Sequence, residues 1–414
     1  MPVNHLKLRL SRVVLIIVFS LLNYSSFAEI EQTRLDAVEK DLQGRVDEGK
    51  LSGAVIMIAQ DGEIQMTKAL GYQNVEDQVP MQDDTIFRIF SMTKPVTGTA
   101  LMILHDEGKF TLDDPIEKQL PELAGLRVAI SASDDGTWET EPTNHPMTVR
   151  ELMSHTGGLL YTPPLSSGPI AEAYADAGVL GDATLAESIP RLKDIPLDYQ
   201  PGTKWVYSIS VDVQGYLVER LSGQTLDNFF KERIFDPLGM EDTAFFVSQE
   251  KLSRFSRMYM PANGELLRTD SFGPGLGGSF TEKPKFLSGG GGLTSTASDY
   301  MKFAQMHLNK GTLNGNRVLS ENSIDLMRSN QLPAAVAEIG QPYPGNVFGL
   351  DFAVVENPGI FQGAPVGTHW WWGIAGSWFW IDPVNNTVFI GMIQNNDILL
   401  SLQIHRAARS AIYE

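Results

Sequence analysis

The two ends of this 414-residue chain repeat one grammar of strands, turns and a long helix, and that pattern dictates how the chain can fold. Near the start, Leu35, Val38, Leu42 and Val46 recur at the spacing of one helical face. Ala54 to Ala59 and Ile64 to Leu70 follow as apolar runs, and Asp61-Gly62 between them is a strong hairpin signal. Near the end, Phe348 to Val355, Ser377 to Ile381 and Thr387 to Ile393 read as strands, the last two joined through a turn at Asp382 to Asn386. Ile398 to Tyr413 closes the chain as a helix with Leu400, Ile404, Ala408 and Ala411 on one side. The stretch between is mostly helical: Thr148 and Glu151 read as a capping box, Ser210 as the cap of a helix running to Leu221, and Thr296 with Asp299 as another capping box. The pattern predicts an α/β (α+β) protein: an antiparallel sheet of about five strands drawn from both termini, flanked by the N- and C-terminal helices, with a mostly helical lobe inserted. The expected division is 29–88 with 290–414 for the sheet domain, and 89–289 for the helical one.

Residues 1–28 read as a secretory signal peptide. Lys7, Arg9 and Arg12 form a basic start, Val13 to Leu22 is an apolar block, and Ser26-Phe27-Ala28 supplies the small residues of a cleavage site. At about 1.5 Å per residue the apolar block covers only about half of a bilayer core, so an uncleaved anchor is the poorer reading. Cleavage after Ala28 takes three positive charges with it, moving the formal charge from −18 to −21. Such a surface repels nucleic acid and anionic lipid, so no nucleic-acid partner and no stable membrane anchor is expected. With no cysteine, the chain has no disulfide, thiol nucleophile, thiolate metal site or lipidated cysteine. The expected location is periplasmic or secreted.

The segment richest in chemistry is Phe90-Ser91-Met92-Thr93-Lys94-Pro95. Residues i and i+3 share a helix face, so Ser91 and Lys94 can bring hydroxyl and amine together. Pro95 is tolerated only near a helix start, which places Ser91 beside the amino end, where the macrodipole favours negative charge on its oxygen. A lysine serves as a base only if its pKa falls toward about 7–8, through burial or a cationic neighbour. On spacing alone Ser91 reads equally well as a capping serine. Ser248 and Lys251 match the same Ser-x-x-Lys pattern, but in a polar, exposed setting. Apolar Ile86, Phe87, Ile89 and Phe90 before Ser91, and Val96, Ala100, Leu101 and Leu104 after Lys94, mark its helix as buried.

Several ordered segments carry a resemblance. These are Phe90 to Thr97, Leu152-Met153-Ser154-His155-Thr156-Gly157-Gly158-Leu159, Pro201 to Ser208, Phe235-Asp236-Pro237-Leu238-Gly239-Met240, and Gly289 to Ala297. Together they resemble the serine β-lactamase and penicillin-binding-protein superfamily, in its class C-like branch, with the family VIII carboxylesterases the best match. The resemblance implies a β-lactamase-like fold, with Ser91 as nucleophile, Lys94 beside it and Tyr207 as the third catalytic residue. Without it, Tyr207 would read as an ordinary half-buried tyrosine in a turn. The superfamily has Tyr-x-Asn there, whereas this chain has Tyr207-Ser208-Ile209 and continues to Asp212, similar to a Tyr-Ser-x-x-x-Asp pattern of the esterase branch. A late strand bears Lys-Thr-Gly in β-lactamases and Trp-Gly-Gly in the esterases. Here Trp371-Trp372-Gly373 stands at that place, with Trp372 replacing the middle glycine. The resemblance assigns site lining to Trp371, substrate binding to Asp212, close backbone approach of substrate to Gly373, and an oxyanion hole to the amides of Ile374 and Ser91. Trp370, Trp378 and Trp380 read as sheet core. His155-Thr156-Gly157 mimics a His-Thr-Gly variant of the late motif, but it precedes Tyr207 and follows a helix, so it reads as a structural turn.

Other chemistries lack their signatures. Gly277-Gly278-Ser279-Phe280-Thr281 fails the Gly-x-Ser-x-Gly elbow at its last place, and Gly273 to Gly278 fits G-x-G-x-x-G without a preceding strand. The scattered histidines give no metal-ligand cluster, so neither metal nor cofactor is expected. The reading is an exported serine hydrolase acting on small-molecule carboxylic esters through an acyl-enzyme. A β-lactamase or D-amino-acid peptidase is the alternative within enzymes. A catalytically silent binding protein of the same fold is the alternative outside them.

Overall fold

A computed structural model describes Met1 and residues 29–132, 137–269 and 278–414. The expected leader from residue 2 onward, and the Gly273 to Gly277 part of the glycine-rich loop, lie outside the described residues. Helix α1 (Gln32–Asp47) leads into β1 (Gly53–Gln60), β2 (Glu63–Asn74) and the short β3 (Val79–Pro80). Helices α2 (Thr93–Asp106), α3 (Ser210–Ser222) and α4 (Ala297–Leu308) follow. Strands β4 (Asn346–Phe348), β5 (Ala353–Val355), β6 (His369–Trp372), β7 (Gly376–Asp382) and β8 (Thr387–Gln394), then helix α5 (Ile398–Tyr413), complete the chain.

All eight strands join one antiparallel sheet in the order β4-β5-β6-β7-β8-β1-β2-β3, so the two chain ends meet where β8 pairs with β1. The pleat of β7 shows how both faces are covered. Trp378 and Trp380 point one way, their rings 4.7 Å from His405 and 6.0 Å from Tyr413 of α5, while Phe379 points the other way, 4.9 Å from Tyr300 of α4. The alternation buries β7 and β8 along their whole length. Gly391 of β8 stands opposite Trp378, where a Cβ would come inside 3.0 Å of the indole ring.

Eight strands replace the expected five, and one difference bears on the site. Phe348 to Val355 is not one strand but the hairpin β4–β5, reversed by a turn in which Asp351 adopts φ +62°. The apolar sequence hides the turn, because its specification is tertiary: Asp351 donates its amide to the Met153 carbonyl, and its buried carboxyl accepts a bond from Gln214 of α3. The segment between β3 and β4 holds α2 packed against α3, along with small hairpins at Arg127–Ala132 with Trp138–Pro142, Tyr259–Ala262 with Glu265–Arg268, and Thr312–Leu313 with Asn316–Arg317. Thr148 and Glu151 form the capping box read from the sequence. Ser210 does not cap α3: it is the first helical residue, and its hydroxyl bonds Ser208 instead. At Thr296 only half of the expected box exists, since the Asp299 carboxylate turns to accept the Asp242 amide. Among the described residues, no helix is long and apolar enough to cross a membrane.

Candidate active site

The chain approaches Ser91 through a strained residue. Phe90 has φ +41°, a costly conformation for a bulky side chain. It is held by the edge-on ring of Phe280 at 5.6 Å and by the Ile89 amide, which donates to the Leu293 carbonyl. The bend turns the backbone into a short 3-10 segment, Phe90–Met92, that runs directly into α2. Ser91 therefore sits at a helical amino end with Lys94 one turn on. Lys94 is fully buried; its Nζ lies 3.2 Å from Ser91 Oγ and donates to the Tyr161 hydroxyl at 2.8 Å and to the Gly290 carbonyl at 2.6 Å. Burial pulls the amine down to about 7, while Asp212 and Asp351 pull weakly the other way. The cationic neighbour that sequence reasoning allowed for is not what lowers it; desolvation does so alone.

Tyr207 lies on the loop leading into α3. Its hydroxyl accepts a bond from Trp371 Nε1 at 3.2 Å and interacts with the Ser91 side chain. The ring is packed by His155, Tyr161 and Trp371 at 5.1, 5.4 and 5.3 Å, and Lys94 Nζ stands 4.5 Å from its centroid. Burial raises the phenol well above its ordinary value, against the opposing effect of the Ser91 and Trp371 bonds. His155 does sit in a turn after the short helix Val149–Met153, and that turn is also part of the wall behind Tyr207. The Ser208 amide donates to its Nδ1 at 3.2 Å, and burial keeps the imidazole neutral.

Asp212, in the first turn of α3, borders the cavity, but its carboxylate is occupied by structure. Oδ1 accepts from Ser288 Oγ at 2.6 Å and from the Gly290 amide at 3.1 Å. It thus fixes the glycine loop whose carbonyl receives Lys94. Gly373 likewise differs from its expected use. A Cβ there would come inside 3.0 Å of the Ile89 carbonyl oxygen and 3.1 Å from its carbon, so the missing side chain admits the backbone ahead of Ser91, not a substrate.

Ser91, Tyr161, Tyr207, Trp371, Trp372 and Ile374 open onto one cavity of about 970 Å³. Trp372, which the sequence left out of the site, joins its wall and donates to the Tyr343 hydroxyl at 2.6 Å. Trp370, Trp378 and Trp380 are core. Tyr161 carried no sequence signal beyond standing two residues after the matched Leu152 to Leu159 segment. Ser248 and Lys251 lie on an outer 3-10 turn, paired with Glu250 and with Asp242. Among the described residues no group of three or more His, Asp or Glu side chains is placed to hold a metal.

Residues 38–409 match the family described as Beta-lactamase. The chain belongs to that family. Within the β-lactamase family it is 38% identical over 372 residues to Protein Rv1367c of Mycobacterium tuberculosis, covering 87% of this chain and 90% of that one. It is 33% identical over 364 residues to esterase EstB of Burkholderia gladioli, covering 84% and 86%. Among solved structures, EstCE1, described as a hydrolase with promiscuous acyltransferase activity, superposes with a TM-score of 0.77 at 25% identity, over 92% of this chain and 99% of that one.

Proposed function

We propose that this protein is an exported carboxylesterase that forms an acyl-enzyme on Ser91. The observation that carries the reading is the buried Lys94 amine, lowered to about 7 and 3.2 Å from Ser91 Oγ on the wall of a large cavity. In the proposed reaction the neutral amine takes the Ser91 proton as Oγ attacks the ester carbonyl, and the amides of Ser91 and Ile374 receive the oxyanion. Tyr207, kept protonated by burial, gives its proton to the leaving alcohol and regains one from the Lys94 ammonium. Water then repeats the sequence on the acyl-enzyme. This narrows the roles: the lysine is the base and the phenol is the acid. Kinship with esterase EstB supports an ester substrate. So does Trp371-Trp372-Gly373, which offers no lysine for a β-lactam carboxylate.

A fluorophosphonate should add to Ser91 by intact mass and not to Ser91→Ala; a folded wild type that stays unlabelled would end the proposal. p-Nitrophenyl butyrate should turn over faster than a chromogenic cephalosporin. The reverse order would make the protein a β-lactamase. Export rests on the basic start, apolar block and Ser26-Phe27-Ala28 site. A mature chain beginning at Glu29 in the periplasmic fraction or medium is the expected product, and a cytoplasmic chain retaining residues 1–28 would exclude it. A second reading, acyl transfer to an alcohol, is favoured by the cavity, whose volume is near the upper end for small-molecule sites and leaves space for an acceptor beside the acyl group. Product analysis with added alcohol separates the two: ester formation supports transfer, acid alone supports hydrolysis.

A further inference from the structure

Three oxygens surround the Lys94 amine: Gly290 O at 2.6 Å, the Tyr161 hydroxyl at 2.8 Å and Ser91 Oγ at 3.2 Å. A carbonyl can only accept, so Gly290 takes one N–H in either charge state. A neutral amine has one further N–H and one lone pair to divide between Ser91 and Tyr161. If Tyr161 donates, the lone pair is filled and Ser91 has no base. If Tyr161 accepts, the lone pair is left for the Ser91 hydroxyl.

We propose that Tyr161 is a positioning residue: it accepts a hydrogen bond from Lys94 and thereby aims the lysine lone pair at Ser91. The proposal rests on the acyl-enzyme reading above. The charge of the Asp212 carboxylate acts on the Tyr161 hydroxyl and opposes its ionisation. A Cβ on Gly290 would stand 2.7 Å from Asp212 Oδ2 and 3.2 Å from the Tyr161 hydroxyl, so carboxylate and phenol flank one small space. A tyrosine proton drawn toward that carboxylate turns its lone pairs to the amine. Burial also holds the Tyr161 phenol in its protonated form. The other titratable groups that act on Lys94 or lie against it are Asp212 from α3, Asp351 from the β4–β5 turn, the Tyr207 phenol and the neutral His155. Ile209, at the place of the asparagine in Tyr-x-Asn, is buried and apolar, so the polar partner of the lysine comes from a different segment.

The test is the pH dependence of fluorophosphonate labelling at Ser91 in wild type, Tyr161→Phe and Tyr161→Gln. An acceptor facing the ammonium favours the charged form, so its removal lowers the Lys94 pKa. Tyr161→Phe should therefore move the acid limb of the labelling rate down by about one pH unit and lower the plateau by about ten-fold or more. Tyr161→Gln, which returns an acceptor oxygen, should bring the limb back toward its wild-type position. A limb that stays put in Tyr161→Phe, or moves upward, overturns the proposal even if the rate falls, because a packing defect alone lowers rates without moving a titration. If Tyr161→Phe does not fold, Tyr161→Met is judged by the same limb, and failure of both to fold would show a purely structural role and end the proposal. Absence of labelling in the wild type would instead remove the acyl-enzyme reading itself.

Discussion

Adding one methyl group at Gly373 should damage catalysis more than folding. In Gly373→Ala the new Cβ would overlap a backbone carbonyl, which has no rotamer by which to yield. Neither partner is loose. The Ile89 amide donates to the Leu293 carbonyl at 3.0 Å and the Ile89 carbonyl accepts from Met92 at 3.0 Å. Gly373 is pinned by its own amide to Ser377 O at 2.8 Å and by its carbonyl to the Gly376 amide at 2.7 Å. Restoring ordinary contact requires the β6–β7 turn and the Ile89–Phe90 backbone to separate by about 1 Å. Overpacking of that kind costs about 1–3 kcal/mol of stability. The same displacement lies between Ile374 and Ser91, the two proposed oxyanion donors, and a misplacement of about 1 Å costs on the order of 100-fold in rate. Hydrolysis of p-nitrophenyl butyrate should show kcat/KM down by about 100-fold. Calorimetry should show a cooperative transition lowered by only a few degrees. A Gly373→Ala enzyme within about three-fold of wild-type kcat/KM would refute the reasoning, since it would mean that the two backbones separate without disturbing the site.

Four further outcomes are expected. Because burial lowers Lys94 to about 7 and the neutral amine is the proposed base, kcat/KM should rise with pH through an acid limb near that value; a profile flat from pH 5.5 to 9 would exclude the lysine. Trp371→Phe removes the 3.2 Å donor to Tyr207 and should lower kcat by about ten-fold with little change in Tm; an unchanged kcat would deny the bond any part in the reaction. Burial raises the Asp351 carboxyl far above its unfolded value, so it stabilises the fold below about pH 4, and that advantage is lost as pH rises toward the folded pKa. Asp351→Asn should therefore gain Tm over wild type, increasingly as pH rises above about 4, and a constant or shrinking difference would contradict a buried carboxyl whose pKa is raised. Gly391→Ala should cost about 1–3 kcal/mol in urea unfolding, because its Cβ would meet the buried Trp378 ring; no loss of stability would show that the ring has space to move.

What the residues disclosed in advance was whatever depends on neighbours close in the chain. Ser91 and Lys94 are one turn apart, so helix geometry alone brings them together. The α5 range, the Asp61-Gly62 hairpin and the Thr148 box are equally local. Contacts made across the fold were hidden. The hydroxyl of Tyr161 reaches Lys94 over a separation of 67 residues, from a loop with neither periodicity nor a motif of its own. Gly373 announces itself as a glycine, but only the approach of Ile89 says what the missing side chain makes room for. Asp351 sits in an apolar run that reads as one strand, and its turn is set by partners 137 residues and more away. Tyr207 needed the family resemblance, because nothing adjacent to it names a partner.

The seam between β1 and β8 also governs when the molecule can come into being. Arg34 of α1 donates to the Ile412 carbonyl across 378 residues, and β1 sits at the interior of the sheet with β8 on one side. A ribosome releases the first strand long before its neighbour exists, and closing so large a loop is slow. Until β8 emerges, the amino-terminal hairpin has an unpaired edge, and a chain in that condition is still a thread: it can pass through a narrow pore, or be held by a chaperone, without first being unmade.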